Sequence, residues 1–246
     1  ARPIALRLYD AGDIVPARGD DADALARTHE RVFEAVTALH QRGMLPICVG
    51  GGHDLTYPAV KALAAAHSQA LGGVNLDAHL DMREAPGSGM PFRRLIEEGC
   101  LEARRHTTLG LGAFVNSEAM VRWCDGAGAR RINAAAVQDD PRAAVEQALR
   151  TAFPAGHSRA MGFVSVDLDS LDAAHAPGVS AMNPAGLSPA VAFALARWAG
   201  RLAQVQHLDI MELSPPHDHD DRTARLAAAI FLAFVAGLDE RLERAQ

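Results

Sequence analysis

Acidic and histidine side chains recur two residues apart at two places in the sequence, each at the end of an apolar segment. The first place holds Asp77, His79 and Asp81, and the second holds Asp167 and Asp169. Carboxylates and imidazoles without thiolates suit manganese, although iron, cobalt, nickel and zinc accept the same donors. Four carboxylates would repel one another without cations, whereas two divalent metals would balance their charge. The spacing therefore predicts a binuclear metal site.

A further imidazole follows a run of glycines. His53 comes directly after Gly50, Gly51 and Gly52, beyond the apolar segment 45–49. Taken alone, a histidine in this position is more often a turn residue, and either aspartate pair could cap a helix. Ligand sites in open α/β sheets lie at the carboxyl ends of strands, and all three segments fall there. We therefore expect His53 to join the same site.

The segments that position these residues alternate between extended and helical patterns. The extended segments are 45–49, 73–76, 107–111, 130–133, 161–168 and 205–211, and the helical ones are 21–43, 54–69, 91–99, 117–125, 141–151, 188–201 and 221–243. Such alternation is typical of the α/β class with a mainly parallel sheet. If the backbone stays extended after the second strand, Asp77, His79 and Asp81 point to the same side.

Length and composition limit the class of protein. The chain has 246 residues, 49% hydrophobic and 22% charged, which predicts a single domain over 1–246 with its own core. A net charge of −6 argues against nucleic acid or anionic lipid as partner, so a small molecule is expected. Only three cysteines are present, and the apolar run 226–238 falls short of a membrane span. We expect a cytoplasmic protein without membrane contact.

Four motifs resemble those of the ureohydrolase superfamily, which comprises arginases, agmatinases and formimidoylglutamases. They are the segments GGGHD at 50–54, DAHLD at 77–81, SVDLDSLD at 165–172 with a following Pro-Gly, and MELSP at 211–215. The resemblance implies a three-layer α-β-α, arginase-like fold and a homo-oligomer. Members of this superfamily usually begin with a strand and a Gly-Pro loop, so it also implies that this first strand is missing or has diverged here.

The resemblance further implies two Mn²⁺ ions per subunit, held by six side chains. One ion would be bound by His53, Asp77, Asp81 and Asp167, and the other by Asp77, His79, Asp167 and Asp169. Such a pair lowers the pKa of water and provides a hydroxide that attacks an amidine carbon. Asp81 would orient this nucleophile. Glu212 would bind the cationic nitrogens of the substrate, because a carboxylate matches an amidinium in charge and geometry.

Two positions select a branch of the superfamily. Arginases and agmatinases carry a histidine in the loop where this chain has Ser88, whereas formimidoylglutamases are similar to this chain from Ser88 to Arg93 and at the Met82-Arg83 pair. N-Formimidoyl-L-glutamate carries two carboxylates, for which Arg83 and Arg93 would be anionic clamps. The resemblance therefore favours hydrolysis of this compound to L-glutamate and formamide, a step of histidine degradation.

Two other interpretations stay open. The first is an amidinohydrolase that releases urea from a guanidino compound, although an arginine beside the metals disfavours agmatine, which has no carboxylate. The second is a non-catalytic module that binds metal or an amidine, against which the intact ligand set and Glu212 argue. Three further histidines have no assigned role: His175 could line the pocket, whereas His217 and His219 suit a solvated loop before the last helix.

Overall fold

A parallel sheet forms the centre of the protein. A computed structural model describes residues 6–19, 21–156 and 160–245, and within these ranges the sheet has six strands in the order β1-β6-β5-β2-β3-β4. They are β1 (Ile47–Val49), β2 (Leu71–Leu76), β3 (Leu101–Leu111), β4 (Arg130–Asn133), β5 (Gly162–Asp167) and β6 (Val205–Met211). Each neighbouring pair is parallel. The predicted α/β class is confirmed.

Helices cover both faces of this sheet. They are α1 (Ala22–Gln41), α2 (Thr56–His67), α3 (Pro91–Glu97), α4 (Glu118–Ala127), α5 (Ala134–Asp139), α6 (Pro141–Ala152), α7 (Pro189–Gly200) and α8 (Arg222–Ala245). One apolar core lies between the sheet and α5 to α8, and a second lies between the sheet and α2 to α4. Helix α1 packs against α2. Among the described residues, no helix combines the length and apolar character that crossing a bilayer requires.

Helix starts follow the polar residues that precede them. The Asp21 carboxylate accepts from Ala24 N–H at 2.7 Å before α1, and Asp140 accepts from Ala143 N–H at 2.9 Å before α6. Pro141, which has no N–H to lose, occupies the first position of α6. These caps satisfy amide groups that have no partner within the helix, which explains why both helices begin where the sequence predicts.

Two regions differ from the expected elements. Strand β3 begins at Leu101, well before the predicted segment 107–111, because its first half carries charged side chains that hide the strand pattern. Helix α5 (Ala134–Asp139) was not expected either. Residues 6–19 contain neither helix nor strand. The carboxyl half of β3, which borders the site, lies where it was predicted.

The close contact between β2 and β5 at Gly72 and Gly162 leads us to predict an effect on stability. Gly162 lies opposite Gly72, and a Cβ atom there would overlap the Gly72 carbonyl oxygen. We expect Gly162→Ala to destabilise the fold by about 1–3 kcal/mol, as overpacking does. Gly126, exposed in α4 with open space around it, is the matched control, and alanine there should stabilise by about 0.5–1 kcal/mol. Urea unfolding of both variants measures this, and equal effects would contradict it.

Candidate active site

The predicted ligands meet at the carboxyl edge of the sheet. Asp77 directly follows β2, Asp167 is the last residue of β5, and Glu212 directly follows β6. His53 opens a 3-10 turn after β1. Because all strands are parallel, their carboxyl ends lie along one edge, and β5 stands between β2 and β6. The fold thus brings together residues that are far apart in sequence.

The side chains form two groups that share Asp77. In the first group, ligand atoms of His53, Asp77, Asp81 and Asp167 lie within 4.8 Å of one another, and in the second the same holds for Asp77, His79 and Asp169. His53 Nδ1 lies 2.9 Å from Asp167 Oδ2 and 3.0 Å from Asp81 Oδ2. His79 Nδ1 lies 3.4 Å from Asp77 Oδ1 and 3.5 Å from Asp169 Oδ2. All six proposed ligands are present in the two groups.

The condition that the chain stays extended through these candidate ligands is not met. Strand β2 ends at Leu76, and Asp81 has a φ of +51°, a left-handed conformation that is uncommon for a residue other than glycine. Asn116 holds this loop, because its side chain accepts from Leu80 N–H and donates to the Ala78 carbonyl. The turn sends Asp81 to the first group and His79 to the second, so one short segment contributes to both.

Burial and mutual repulsion perturb the acids of this centre. Burial, followed by the charge of Asp77, raises the pKa of Asp167 well above its ordinary value and that of Asp81 to about 6. Burial also acts to raise the pKa of Asp77, yet hydrogen bonds from His53 and His79 hold it at about 2. Hydrogen bonds to Asp169 and Asp77 raise the pKa of His79 to about 11. The charged form of His79 is thus favoured beside Asp77 and Asp169.

The residues fit a pair of divalent cations. Carboxylate oxygens and imidazole nitrogens are the only donors in the two groups, which suits manganese and related metals. Asp169 Oδ1 is buried and, among the described residues, has no hydrogen-bond partner. A buried carboxylate oxygen without a partner is costly, and a cation would satisfy it. Metal binding would also replace the protons that now balance the cluster.

These pKa shifts predict how metal and pH act together on stability. Raised pKa values at Asp81, Asp167 and His79 mean that, above about pH 4, these three groups bind more protons in the metal-free folded chain than in the unfolded chain. Their contribution to stability therefore falls as the pH rises towards the raised pKa of His79, about 11, whereas the lowered pKa of Asp77 acts only below that range. Metal binding displaces these protons, so affinity should rise about tenfold per pH unit for each proton displaced.

Melting temperatures with chelator and with Mn²⁺ test this dependence. We expect the increase in Tm caused by Mn²⁺ to be clearly larger at about pH 8 than at about pH 5. Mg²⁺, a hard cation with less affinity for imidazole, is the control for ionic strength. An equal increase at both pH values would mean that the cluster does not exchange protons for metal.

Glu212 lies beside the first group in a constrained arrangement. Its Oε1 accepts from His53 N–H at 2.8 Å and from the Ser88 hydroxyl at 2.6 Å. Its Oε2 accepts from the Ser180 hydroxyl at 2.7 Å, and its backbone has a φ of +63°. Ser88 therefore contacts Glu212, and so does Ser180, which the sequence reasoning did not single out. The only signal for Ser180 was its place in the loop after the third motif.

The two predicted arginines lie on the loop and helix next to Ser88. Arg83 is exposed, and its backbone N–H donates to the Gly89 carbonyl at 2.7 Å. Arg93 instead donates to Glu97 at 2.7 Å and stacks over the Trp123 ring at 5.1 Å. Within the described part of the chain, neither guanidinium pairs with a candidate metal ligand.

The remaining histidines of uncertain role lie at the surface. His175, His217 and His219 are all exposed. His217 Nδ1 lies 2.8 Å from the Ser214 hydroxyl, and the His219 backbone N–H donates to Asp218. None of the three belongs to the two ligand groups, which were defined on the described residues. The solvated loop expected before the last helix is what the structure contains.

Known proteins are similar to this chain in sequence and in fold. The Arginase family model matches residues 3–237. The formimidoylglutamase of Halobacterium salinarum is 35% identical over 233 residues, which are 93% of this chain and 72% of that protein. The crystal structure of Trypanosoma cruzi formiminoglutamase with Mn²⁺ superposes with a TM-score of 0.86 at 30% identity, covering 96% of this chain and 77% of that one.

A neighbour with a different name shares the same architecture. Proclavaminate amidino hydrolase from Streptomyces clavuligerus has a TM-score of 0.83 at 27% identity and covers 94% of this chain and 76% of its own. The expected three-layer arginase-like fold and the expected arginase-type hydrolase are both confirmed by these matches. With sequence, fold and ligand arrangement in agreement, the chain belongs to the arginase family.

Proposed function

We propose that this protein is a binuclear manganese hydrolase that converts N-formimidoyl-L-glutamate and water to L-glutamate and formamide. The observation that carries the choice of substrate is the contact between Ser88 and Glu212, at 2.6 Å. This hydroxyl stands where the resemblance expects a histidine in arginases and agmatinases. The similarity to named formimidoylglutamases supports the same choice.

Six side chains would hold the metals. His53, Asp77, Asp81 and Asp167 would bind one cation, and Asp77, His79 and Asp169 the other. The family resemblance implies that Asp167 would also contribute to the second site. Bound divalent cations would lower the pKa of water and so supply a nucleophile at neutral pH. Asp81, a member of the first ligand group, would orient that nucleophile. Its left-handed backbone fixes the position of the carboxylate.

Glu212 would bind the amidinium group of the substrate. Donors on both of its oxygens fix the plane of the carboxylate, and the lone-pair site left on Oε2 would accept a substrate N–H group. The attacked carbon then loses its bond to the glutamate nitrogen, which takes up a proton, while the carbon leaves as formamide. The fixed Glu212 carboxylate would stabilise the positive charge of the amidinium group while its carbon is attacked.

Arg83 is the better placed of the two proposed anionic clamps. It is exposed on the loop that also carries Ser88, and its guanidinium is open to a carboxylate from solvent. Arg93 is already paired with Glu97, and it would have to exchange this partner to contact the substrate. An arginine is suited to this role because its planar guanidinium binds a carboxylate through two hydrogen bonds.

Turnover of the manganese-loaded protein on a panel of substrates tests the proposal. We expect formamide from N-formimidoyl-L-glutamate and no urea from agmatine, arginine or guanidinobutyrate, with activity lost in Asp167→Ala. Urea from a guanidino compound would keep the metal chemistry and overturn the substrate. Full metal occupancy without turnover of any compound would favour a non-catalytic module that binds an amidine.

A further inference from the structure

A buried chain of hydrogen bonds lies behind His53, on the side of the ring opposite the carboxylates. His53 Nε2 lies 2.9 Å from the Ser165 hydroxyl, and Ser165 in turn hydrogen bonds Asp209 through a short contact. All three side chains are fully buried. Neither Ser165 nor Asp209 belongs to the two ligand groups.

The sheet places these side chains in line. Ser165 precedes Asp167 by two residues in β5, so both side chains lie on the same face of the strand. Asp209 in β6 is the register partner of Ser165. The series of hydrogen bonds therefore depends on two adjacent central strands, and it connects a proposed metal ligand to a carboxylate deep in the fold.

Packing alone does not explain a carboxylate in this position. Asp209 Oδ2 is buried without a hydrogen-bond partner among the described residues, and His207 Nε2 stands 3.5 Å from it. Burying a charge with incomplete partners is costly, so an apolar residue would serve the core better. The cost of burying this carboxylate is explained if Asp209 orients a neighbouring side chain.

The direction of the hydrogen bonds identifies that neighbour. A carboxylate can only accept, so Ser165 donates to Asp209, and the serine oxygen then accepts from His53 Nε2–H. This fixes the ring orientation and leaves Nδ1, which lies 2.9 Å from Asp167, to face the metal site. Partners behind metal-binding histidines commonly act in this way.

We propose that Ser165 and Asp209 are positioning residues that hold His53 in the tautomer and orientation that binds metal. The inference rests on the proposed metal centre. It concerns the first ligand group, since His53 is absent from the second. Removing these hydrogen bonds should therefore weaken one of the two proposed manganese sites and leave the fold of the metal-free protein largely intact.

Manganese titration followed by electron paramagnetic resonance tests this inference. Ser165→Ala should bind Mn²⁺ at the first site about 10- to 100-fold more weakly. At the protein and metal concentrations that give the spectrum of a coupled ion pair in the wild type, the variant should then give the spectrum of a single ion. Asp209→Asn, which keeps the side-chain volume, should act in the same direction and serves where Ser165→Ala folds poorly. Thr108→Val is the matched control, because it removes another fully buried hydroxyl, one in β3 that has no hydrogen-bond partner among the described residues.

Three outcomes are decisive. Weakened binding in the Ser165 and Asp209 variants, with unchanged binding in Thr108→Val and similar metal-free Tm values, supports the positioning role. Wild-type affinity and a coupled spectrum in both variants would overturn it while leaving the metal centre in place. A wild-type protein that binds no Mn²⁺ would overturn the metal centre itself, and this inference with it.

Discussion

Asp77→Asn is expected to abolish stable binding of both manganese ions and to lower turnover by at least about 10³-fold. Asp77 is, within the described residues, the one side chain common to both ligand groups, and it is fully buried. Asparagine keeps the shape but removes a negative charge from each proposed site. Lewis-acid stabilisation is worth several kcal/mol, and each 1.36 kcal/mol changes the rate tenfold.

Metal content after desalting and the rate of formamide release measure this effect. Asp172→Asn is the matched control, since Asp172 is an aspartate of the third motif outside both groups, where it accepts from Ala174 N–H. We expect the control to keep both metal and activity. If Asp77→Asn retained the full metal content, the assignment of Asp77 as a shared ligand would be incorrect.

The grouping of the candidate metal ligands was predictable because topology does most of the positioning. Once Asp77 and Asp167 are placed at the ends of parallel strands, the sheet brings those ends to one edge whatever the details of the loops. His53 follows for the same reason after β1. To predict this grouping, it is enough to know the type of each residue and its position relative to the end of a strand.

The conformation after β2 was not predictable from the local sequence. Asp81 adopts its left-handed backbone in a loop that is held by Asn116, a residue 36 positions away from Leu80. A pattern of alternating residues contains no information on such a contact. The period of two in this segment therefore indicated which side chains come together but not the backbone conformation that brings them together.

The hydrogen-bond partners of the candidate ligands were missed for a related reason. Ser165 and Asp209 are polar residues inside the buried strands β5 and β6, and Ser180 lies in a loop. Their contacts become visible only when register and hydrogen bonds are known. The pairing of Arg93 with Glu97, in contrast, has the i,i+4 spacing of a helical ion pair and could have been expected.

Glu212→Gln is expected to lower kcat/KM on N-formimidoyl-L-glutamate by about 30-fold to several thousandfold, with manganese content unchanged. Removing one partner of a buried, hydrogen-bonded charge pair costs about 2–5 kcal/mol. Glu212 is only 8% exposed, so water compensates little for the lost charge. The amide also presents a donor where two hydroxyls and the His53 N–H already donate.

Comparison with a carboxylate outside the site isolates this effect. Glu97→Gln removes an exposed carboxylate that pairs with Arg93, and we expect nearly wild-type kinetics. Glu212 is not in either ligand group, so its variant should retain metal while losing catalysis, whereas Asp77→Asn should lose both. Loss of manganese from Glu212→Gln would instead mean that Glu212 supports the metal site through His53, and wild-type kcat/KM would mean that it does not contact the substrate.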